Sequence, residues 1–370
     1  DFNNDGLKDI FVSNGIKYDI MDRDAIRFAA NPEVLEKMGL HELAKKMSDT
    51  TPGSDRMMGK NLDLDEYFRK LPRTRINNFL FRNDGGLQFE NASEEWGFTA
   101  PYNNTVAAAY ADLDNDGDLD MILLATCTGD MPLPSTACLL QHRLGATRAA
   151  ACDLSAACCG FVYALGVADA YIRTGMRHVL VVGSEVMSTI TDWTDRNTCI
   201  LFGDGAGAAV VSASEGERGV LSNHLHSDGS LSDLIVVPGG GTRIPPSEAM
   251  MGERSQYIKM KGNETFKVAV RTLEEVARET LAAHNLTVDD LDVYIPHQAN
   301  LRIIKAVADR LGLPLEKIVL NMDRYGNTSA ASIPIALDEA VRDGRVKDGQ
   351  LVMFGAFGAG LTWASTLIRW

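Results

Sequence analysis

The sequence predicts an α/β fold over residues 122–370, and three observations predict it. Short apolar runs of β type alternate along this stretch with helical patterns, and glycine turns punctuate the exchange. At 121/122 the texture changes abruptly, from a polar stretch rich in Asn and Asp to this alternation. The chain therefore reads as two unlike segments, 1–121 and 122–370.

The first segment holds two copies of one pattern: Asp1, Asn3, Asp5, Gly6 and Asp9, then Asp112, Asp114, Asp116, Gly117 and Asp120. Alternate oxygen-bearing side chains, a turning glycine and a further Asp can wrap a hard cation such as calcium. An Asp/Asn/Gly turn holding no metal is the plain alternative. Each loop runs into an apolar β-type stretch. Residues 77–90 read as strand, turn and strand, whereas residues 21–70 read as a helical insertion.

In the second segment, residues 122–126 read as a strand and 134–144 as a helix. Small residues over 155–157 lead into Cys158, and residues 161–175 are apolar on nearly every side, as a buried helix is. Residues 177–183 form a buried strand, and a glycine turn at 203–207 runs into another. Phe266, Val270, Leu273, Ala277 and Leu281 recur at helical spacing within an amphipathic helix over 262–284. A strand at 293–296, a helix at 300–311 and a strand at 350–354 complete the pattern.

A chain of 370 residues has room for two or more domains. A formal net charge of -14 without a Lys/Arg run argues against nucleic-acid binding. No apolar stretch approaches a membrane span, and the start carries no signal-peptide pattern. The six cysteines fall between 127 and 199 with neither zinc spacing nor a C-x-x-C pair, which reads as free thiols in a reducing cytoplasm. The chain opens on Asp1 inside a motif, so the numbering is expected to begin within a longer protein.

Four features carry chemistry. Cys158, at the start of a buried helix, lies near the positive end of the helix dipole, where the thiolate is expected to be favoured. His297 emerges at the carboxyl end of a strand, where open α/β folds place ligands. Asn327 stands in a small polar run that opens a helix and can alternatively be its cap. Residues 355–360, glycine-rich after the last strand, can present backbone N–H groups to an oxyanion. The glycines of 203–207 and 237–242 read as packing and flexible turns. His224 and His226 alternate as a metal pair would, but with no acidic or thiol partner evident nearby they read as structural.

Taken together, these features resemble the β-ketoacyl-acyl-carrier-protein synthase III family of the thiolase superfamily. The matching words are 153–161, 194–196, 202–208, 224–230, 296–302, 326–332, 337–344 and 356–363, in the family's order. The resemblance implies a thiolase-like five-layered αβαβα sandwich, lacking the start of its first half, with that half over 122–213 and the second over 214–370. It implies a homodimer without a required cofactor. Cys158 would accept an acyl group, acetyl above all, from coenzyme A, and His297 and Asn327 would assist decarboxylative condensation with malonyl-acyl-carrier protein. The backbone of Cys158 and Ala359 would form the oxyanion hole. Arg196, Gly262, Phe266, Ala299, Asn300, Arg302 and Phe357 match positions lining the coenzyme A tunnel. Arg302, Lys305 and Arg310 would meet the acidic carrier protein. Residues 1–121 resemble the VCBS/FG-GAP repeats of secreted β-propellers, with calcium as the implied ion.

Departures accompany the resemblance. Cys159, Asn197 and Ala364 replace the family's usual small residues. The family's first quarter, with a Trp/Arg clamp for the coenzyme A nucleotide and a strand expected at the centre of the first sheet, has no counterpart, which predicts weak or absent activity. Residues 117–123 satisfy the repeat pattern and residues 119–126 resemble the synthase strand, a short shared word of the kind that joins a chimeric chain. A calcium-stapled extracellular adhesion module and a thiolase-fold ketide synthase are the alternatives.

Overall fold

In the computed structural model the described residues are 119–214, 216 and 218–370, with the backbone of three short strands, Ile10–Val12 (β1), Phe79–Asn83 (β2) and Phe89–Asn91 (β3). These three pair antiparallel in the order β1-β2-β3. β1 falls on the apolar run after the first Asp/Asn loop, and β2 and β3 fall on the strand-turn-strand read at 77–90. Three strands are one short of a four-stranded propeller blade and do not establish that architecture. Asp1, Asn3, Asp5, Asp9, Asp112, Asp114 and Asp116, and the helical insertion over 21–70, lie outside the described residues.

The α/β segment opens with Met121–Ala125 (β4), Thr136–Arg143 (α1), Ala150–Leu154 (β5), Gly160–Arg173 (α2), His178–Val186 (β6) and Asp204–Ser212 (β7). It continues with Gly219–Ser227 (β8), Ile235–Val236 (β9), Glu248–Gly252 (α3), Lys259–Met260 (β10) and Gly262–Ala282 (α4). Val293–Pro296 (β11), Leu301–Leu311 (α5), Met322–Tyr325 (α6), Ser332–Arg342 (α7), Leu351–Gly358 (β12) and Thr362–Arg369 (β13) close the chain. One sheet has the order β5-β4-β6-β7, a second β11-β12-β13-β8, and β9 with β10 makes a small ribbon.

Period-two alternation sorts the side chains of these sheets into layers. On β4, Met121, Leu123 and Ala125 face a core shared with α2 and α7, whereas Ile122 and Leu124 pack with Ala137 and Leu140 of α1. β6 divides the same way, Val179 and Val181 inward, Leu180 and Val182 outward. In the second sheet Val293, Ile295, Val352 and Phe354 join the central core, while Tyr294 and Met353 meet α4 and α5. The result is five layers: α1, a sheet, α2 with α7, a sheet, and α4 with α5. Each Leu, Ile or Val fully buried between them contributes about 1.5–3 kcal/mol.

The sheet order corrects one expectation. β4 is hydrogen-bonded on both sides, by β5 and β6, and β6 by β4 and β7. No strand is missing from the middle of this sheet. The second sheet runs in parallel fashion, with β11 parallel to β12 and β13 antiparallel to it, and there β8 takes the place beyond β13. By that correspondence a further strand of the first half belongs at the edge beside β7. An unpaired edge costs far less than an unpaired centre, because its free groups can reach water.

Asp120, expected as a calcium ligand, has another task. One of its oxygens accepts from the N–H of Arg177 at 2.5 Å and of His178 at 2.9 Å, fastening the start of β6 beside β4. Among the described residues no group of three or more His, Cys, Asp or Glu side chains is placed to hold a metal ion, and no helix is long and apolar enough to cross a membrane.

Candidate active site

Three element ends converge on a cavity of about 790 Å³ lined by Cys158, His297 and Asn327, with Phe357 and Ala359 beside them. Cys158 stands in a single 3-10 turn, Ala157–Cys159, between β5 and α2. Close approach of the last loop needs glycine here: a Cβ on Gly358 would lie 2.8 Å from the N of Cys158 and 3.1 Å from that of Cys159. Gly358→Ala is therefore expected to force the 358–360 loop away from the Ala157–Cys159 turn and to lower stability by about 1–3 kcal/mol, the usual range for overpacking. Denaturant midpoints of the variant and the unaltered protein check this.

His297 follows β11 and is 4% exposed, and Asn327 is 7% exposed. The His297 Nδ1 lies 2.6 Å from the Ser332 hydroxyl. Asn327 Oδ1 accepts from the Ser329 N–H at 2.9 Å, which leaves the amide NH2 for the cavity. Asn327 is thus not the cap of α7, because its side chain holds the turn Ser329–Ala331 that precedes that helix. Ser329 sits at φ +50 and Gly183 admits this turn, since a Cβ there would meet Ala330 O at 2.3 Å.

Electrostatics correct the expected thiolate. Burial pushes the Cys158 thiol up to about 12, against the opposing pull of the Ser329 hydroxyl. A helix dipole contributes at most about 2 kcal/mol at a partly buried position, too little to reverse that burial. Cys158 rests as a thiol. Burial also lowers His297 to about 3, so its imidazole is neutral at physiological pH.

Below the ordinary value of 6.5 the unfolded chain takes up a proton on His297 that the folded chain refuses until about 3. Stability is accordingly lost as pH falls through that window. His297→Gln should make the loss shallower by about 1.4 kcal/mol per pH unit, read from denaturant midpoints between pH 6.5 and 4.

Sequence reasoning missed Glu185 at the end of β6. It is 2% exposed and receives Thr128 Oγ1 at 2.6 Å, Ser329 Oγ at 2.9 Å and the N–H of Cys127 at 3.1 Å. Burial raises its pKa. The carboxyl ties the loop after β4 to the turn that carries Asn327. An acid at the carboxyl end of a buried strand was the available signal, the same one that marked His297.

The other candidates divide. Gly262, Phe266, Ala299, Asn300 and Arg302 line the cavity. Asn300 also caps α5, its side chain accepting from the Arg302 N–H at 2.8 Å. The Arg302 guanidinium lies 5.6 Å above the Phe266 ring. Arg196 is exposed and does not line the cavity, whereas its neighbour Asn197 does. Lys305 is exposed on α5, and Arg310 pairs with Glu274 at 3.0 Å. The histidines of β8 do have an acidic partner: Glu279 of α4 bonds His224 at 3.1 Å and His226 at 2.7 Å, pinning helix to sheet. Gly203, Gly205 and Gly207 are packing positions, each too close to Tyr325, Thr328 or α7 for a side chain. All six cysteines are free.

Residues 152–229 match the family model 3-oxoacyl-[acyl-carrier-protein (ACP)] synthase III, and residues 281–370 match the model of its C-terminal part. The chain is 56% identical over 254 residues to the β-ketoacyl-[acyl-carrier-protein] synthase III of Alkalilimnicola ehrlichii, covering 68% of this chain and 77% of that protein. It is 45% identical over 311 residues to the enzyme of the same name from Roseiflexus sp., covering 82% and 94%. That longer alignment takes in part of the segment before β4, where the family's first quarter was expected to have no counterpart. The crystal structure of 3-oxoacyl-[acyl-carrier-protein] synthase III from Aquifex aeolicus superimposes with a TM-score of 0.63 at 48% identity, covering 69% of this chain and 78% of that one.

Proposed function

The chain belongs to the β-ketoacyl-[acyl-carrier-protein] synthase III family of condensing acyltransferases, and from that premise we propose how its own residues divide the reaction. Cys158 is the nucleophile. Its sulfur attacks the acyl carbon of an acyl-coenzyme A, acetyl-coenzyme A first among them. The bond to coenzyme A sulfur breaks, and the thiol proton ends on the departing coenzyme A, so the step is neutral overall. The N–H groups of Cys158 and Ala359 hold the oxyanion in between.

Condensation then uses His297 and Asn327. Malonyl-acyl-carrier protein loses carbon dioxide, and the electron pair of the broken bond moves onto the thioester oxygen. Two fixed neutral donors in a dry pocket stabilise that developing charge more than they stabilise the ground state. The enolate carbon attacks the Cys158 thioester, and the released thiolate takes a proton from solvent. The convergence of one thiol and two neutral donors on a single cavity carries this reading. Its test is intact-mass spectrometry after incubation with acetyl-coenzyme A: an acetyl group on Cys158 is expected, and folded protein that stays unmodified would defeat it.

Partners are proposed on the same footing. Arg302 and Lys305, exposed on α5 beside the cavity mouth, offer local positive charge to an acidic carrier in a chain whose net charge is -14. A second copy is proposed to pair along β5, which ends its sheet among the described residues. The halves 122–213 and 214–370 are proposed as the two repeats, and six free thiols suit a reducing cytoplasm.

A further inference from the structure

A neutral imidazole carries one ring proton, and a donor to the malonyl thioester oxygen must carry it on the nitrogen that faces the cavity. Accepting the reading of His297 as that donor, we infer that Ser332 is the positioning residue that sets the tautomer, its hydroxyl donating to Nδ1 and leaving the ring proton on Nε2.

Four observations carry this. Ser332 is 2% exposed, and its hydroxyl is the one hydrogen-bond partner of the His297 ring among the described residues, at 2.6 Å. A rival acceptor for the Ser332 hydrogen, the carbonyl of Ser329, is farther at 2.9 Å. That carbonyl already accepts from the backbone N–H of Ser332, so it does not depend on the hydroxyl. The N–H of Gln298 approaches the Ser332 oxygen at 3.4 Å, occupying a lone pair and turning the O–H elsewhere. The single hydroxyl hydrogen can go to Ser329 O or to Nδ1, and a ring proton on the cavity-facing Nε2 requires that it go to Nδ1, the nearer of the two.

The surroundings hold the ring in register. Gln298, directly after His297, is 1% exposed and gives its amide to Pro296 O at 2.7 Å and Val319 O at 3.1 Å. Its own oxygen accepts from the Asn321 N–H at 3.0 Å. Ser332 itself closes the turn whose first residue, Ser329, orients Asn327. One four-residue stretch therefore aims both donors at the same oxygen.

The test separates the partial reactions. Acyl-Cys158 formation is followed by mass spectrometry and malonyl-thioester decarboxylation by carbon dioxide release, in the unaltered protein, Ser332→Ala and Ser332→Thr. Ser332→Ala is expected to slow decarboxylation by about 100-fold, the scale of one misdirected donor, while acylation changes by less than about threefold. Ser332→Thr, which keeps the hydroxyl, should recover most of the loss. Decarboxylation unchanged in the alanine variant, or both partial reactions falling together, overturns the inference. The 15N spectrum of His297 in histidine-labelled unaltered protein decides even where a variant does not fold: a proton on Nε2 is expected, and a proton on Nδ1 overturns it. A protein that never acylates Cys158 would instead defeat the catalytic reading, which the acetyl-coenzyme A experiment reports separately.

Discussion

Cys158→Ser is expected to abolish the acyl-enzyme and to reduce condensation by at least about 1,000-fold. The substitution keeps the shape of the 3-10 turn and the N–H beside Gly358, so the fold and the cavity should persist. What changes is the nucleophile. A serine hydroxyl ionises far less readily than a thiol, and burial that already pushes Cys158 up to about 12 would hold an alkoxide out of reach. Thermal unfolding close to that of the unaltered protein, together with no adduct from acetyl-coenzyme A, is the expected pair of results. A persistent adduct would show that another group takes the acyl chain, with Cys127 in the same cavity the first to examine.

The second large effect concerns the donors. Asn327→Ala is expected to slow malonyl decarboxylation by about 100- to 1,000-fold, and His297→Ala by a similar factor. The double variant should fall short of the product of the two, because both act on one oxygen and the surviving donor is already misplaced. Acyl-Cys158 should still form in both single variants, since neither residue receives the thiol proton in the proposed sequence. His297 is neutral down to about 3, so decarboxylation should show no histidine titration between pH 5 and 8. An apparent pKa near 6.5 in that range, lost in the His297 variant, would contradict the assigned neutral role.

Much of this architecture could be read from residue order, and the reason is local. α4 carries Val270, Leu273, Ala277 and Leu281 at helical spacing, and those four are buried against the second sheet. β11 ends where His297 was expected to emerge. Periodicity and turn chemistry determine such elements within a few residues of chain.

Readings that failed depended on contacts distant in sequence. The strand thought missing from the centre of the first sheet belongs at its edge, because strand order is set by crossover connections that no local pattern records. The thiolate expected at Cys158 followed from a helix end, whereas its protonation is governed by a cavity built from elements up to two hundred residues later. Glu279 lies more than fifty residues beyond the histidines it joins, and Ser329 is 144 residues from Glu185. Pairs of that kind are visible only once the sheets are stacked.

The central claim, that Cys158 holds the acyl group and that His297 and Asn327 bring the malonyl carbanion to it, is tested most directly by a chase. Protein carrying labelled acetyl on Cys158 is mixed with malonyl-acyl-carrier protein, and the label is followed by mass spectrometry. The expected result is its departure from Cys158 into a β-ketoacyl chain on the carrier, with one carbon dioxide released per label transferred. Label that stays on Cys158 while carbon dioxide is released, or that leaves only as free acetate, would contradict it.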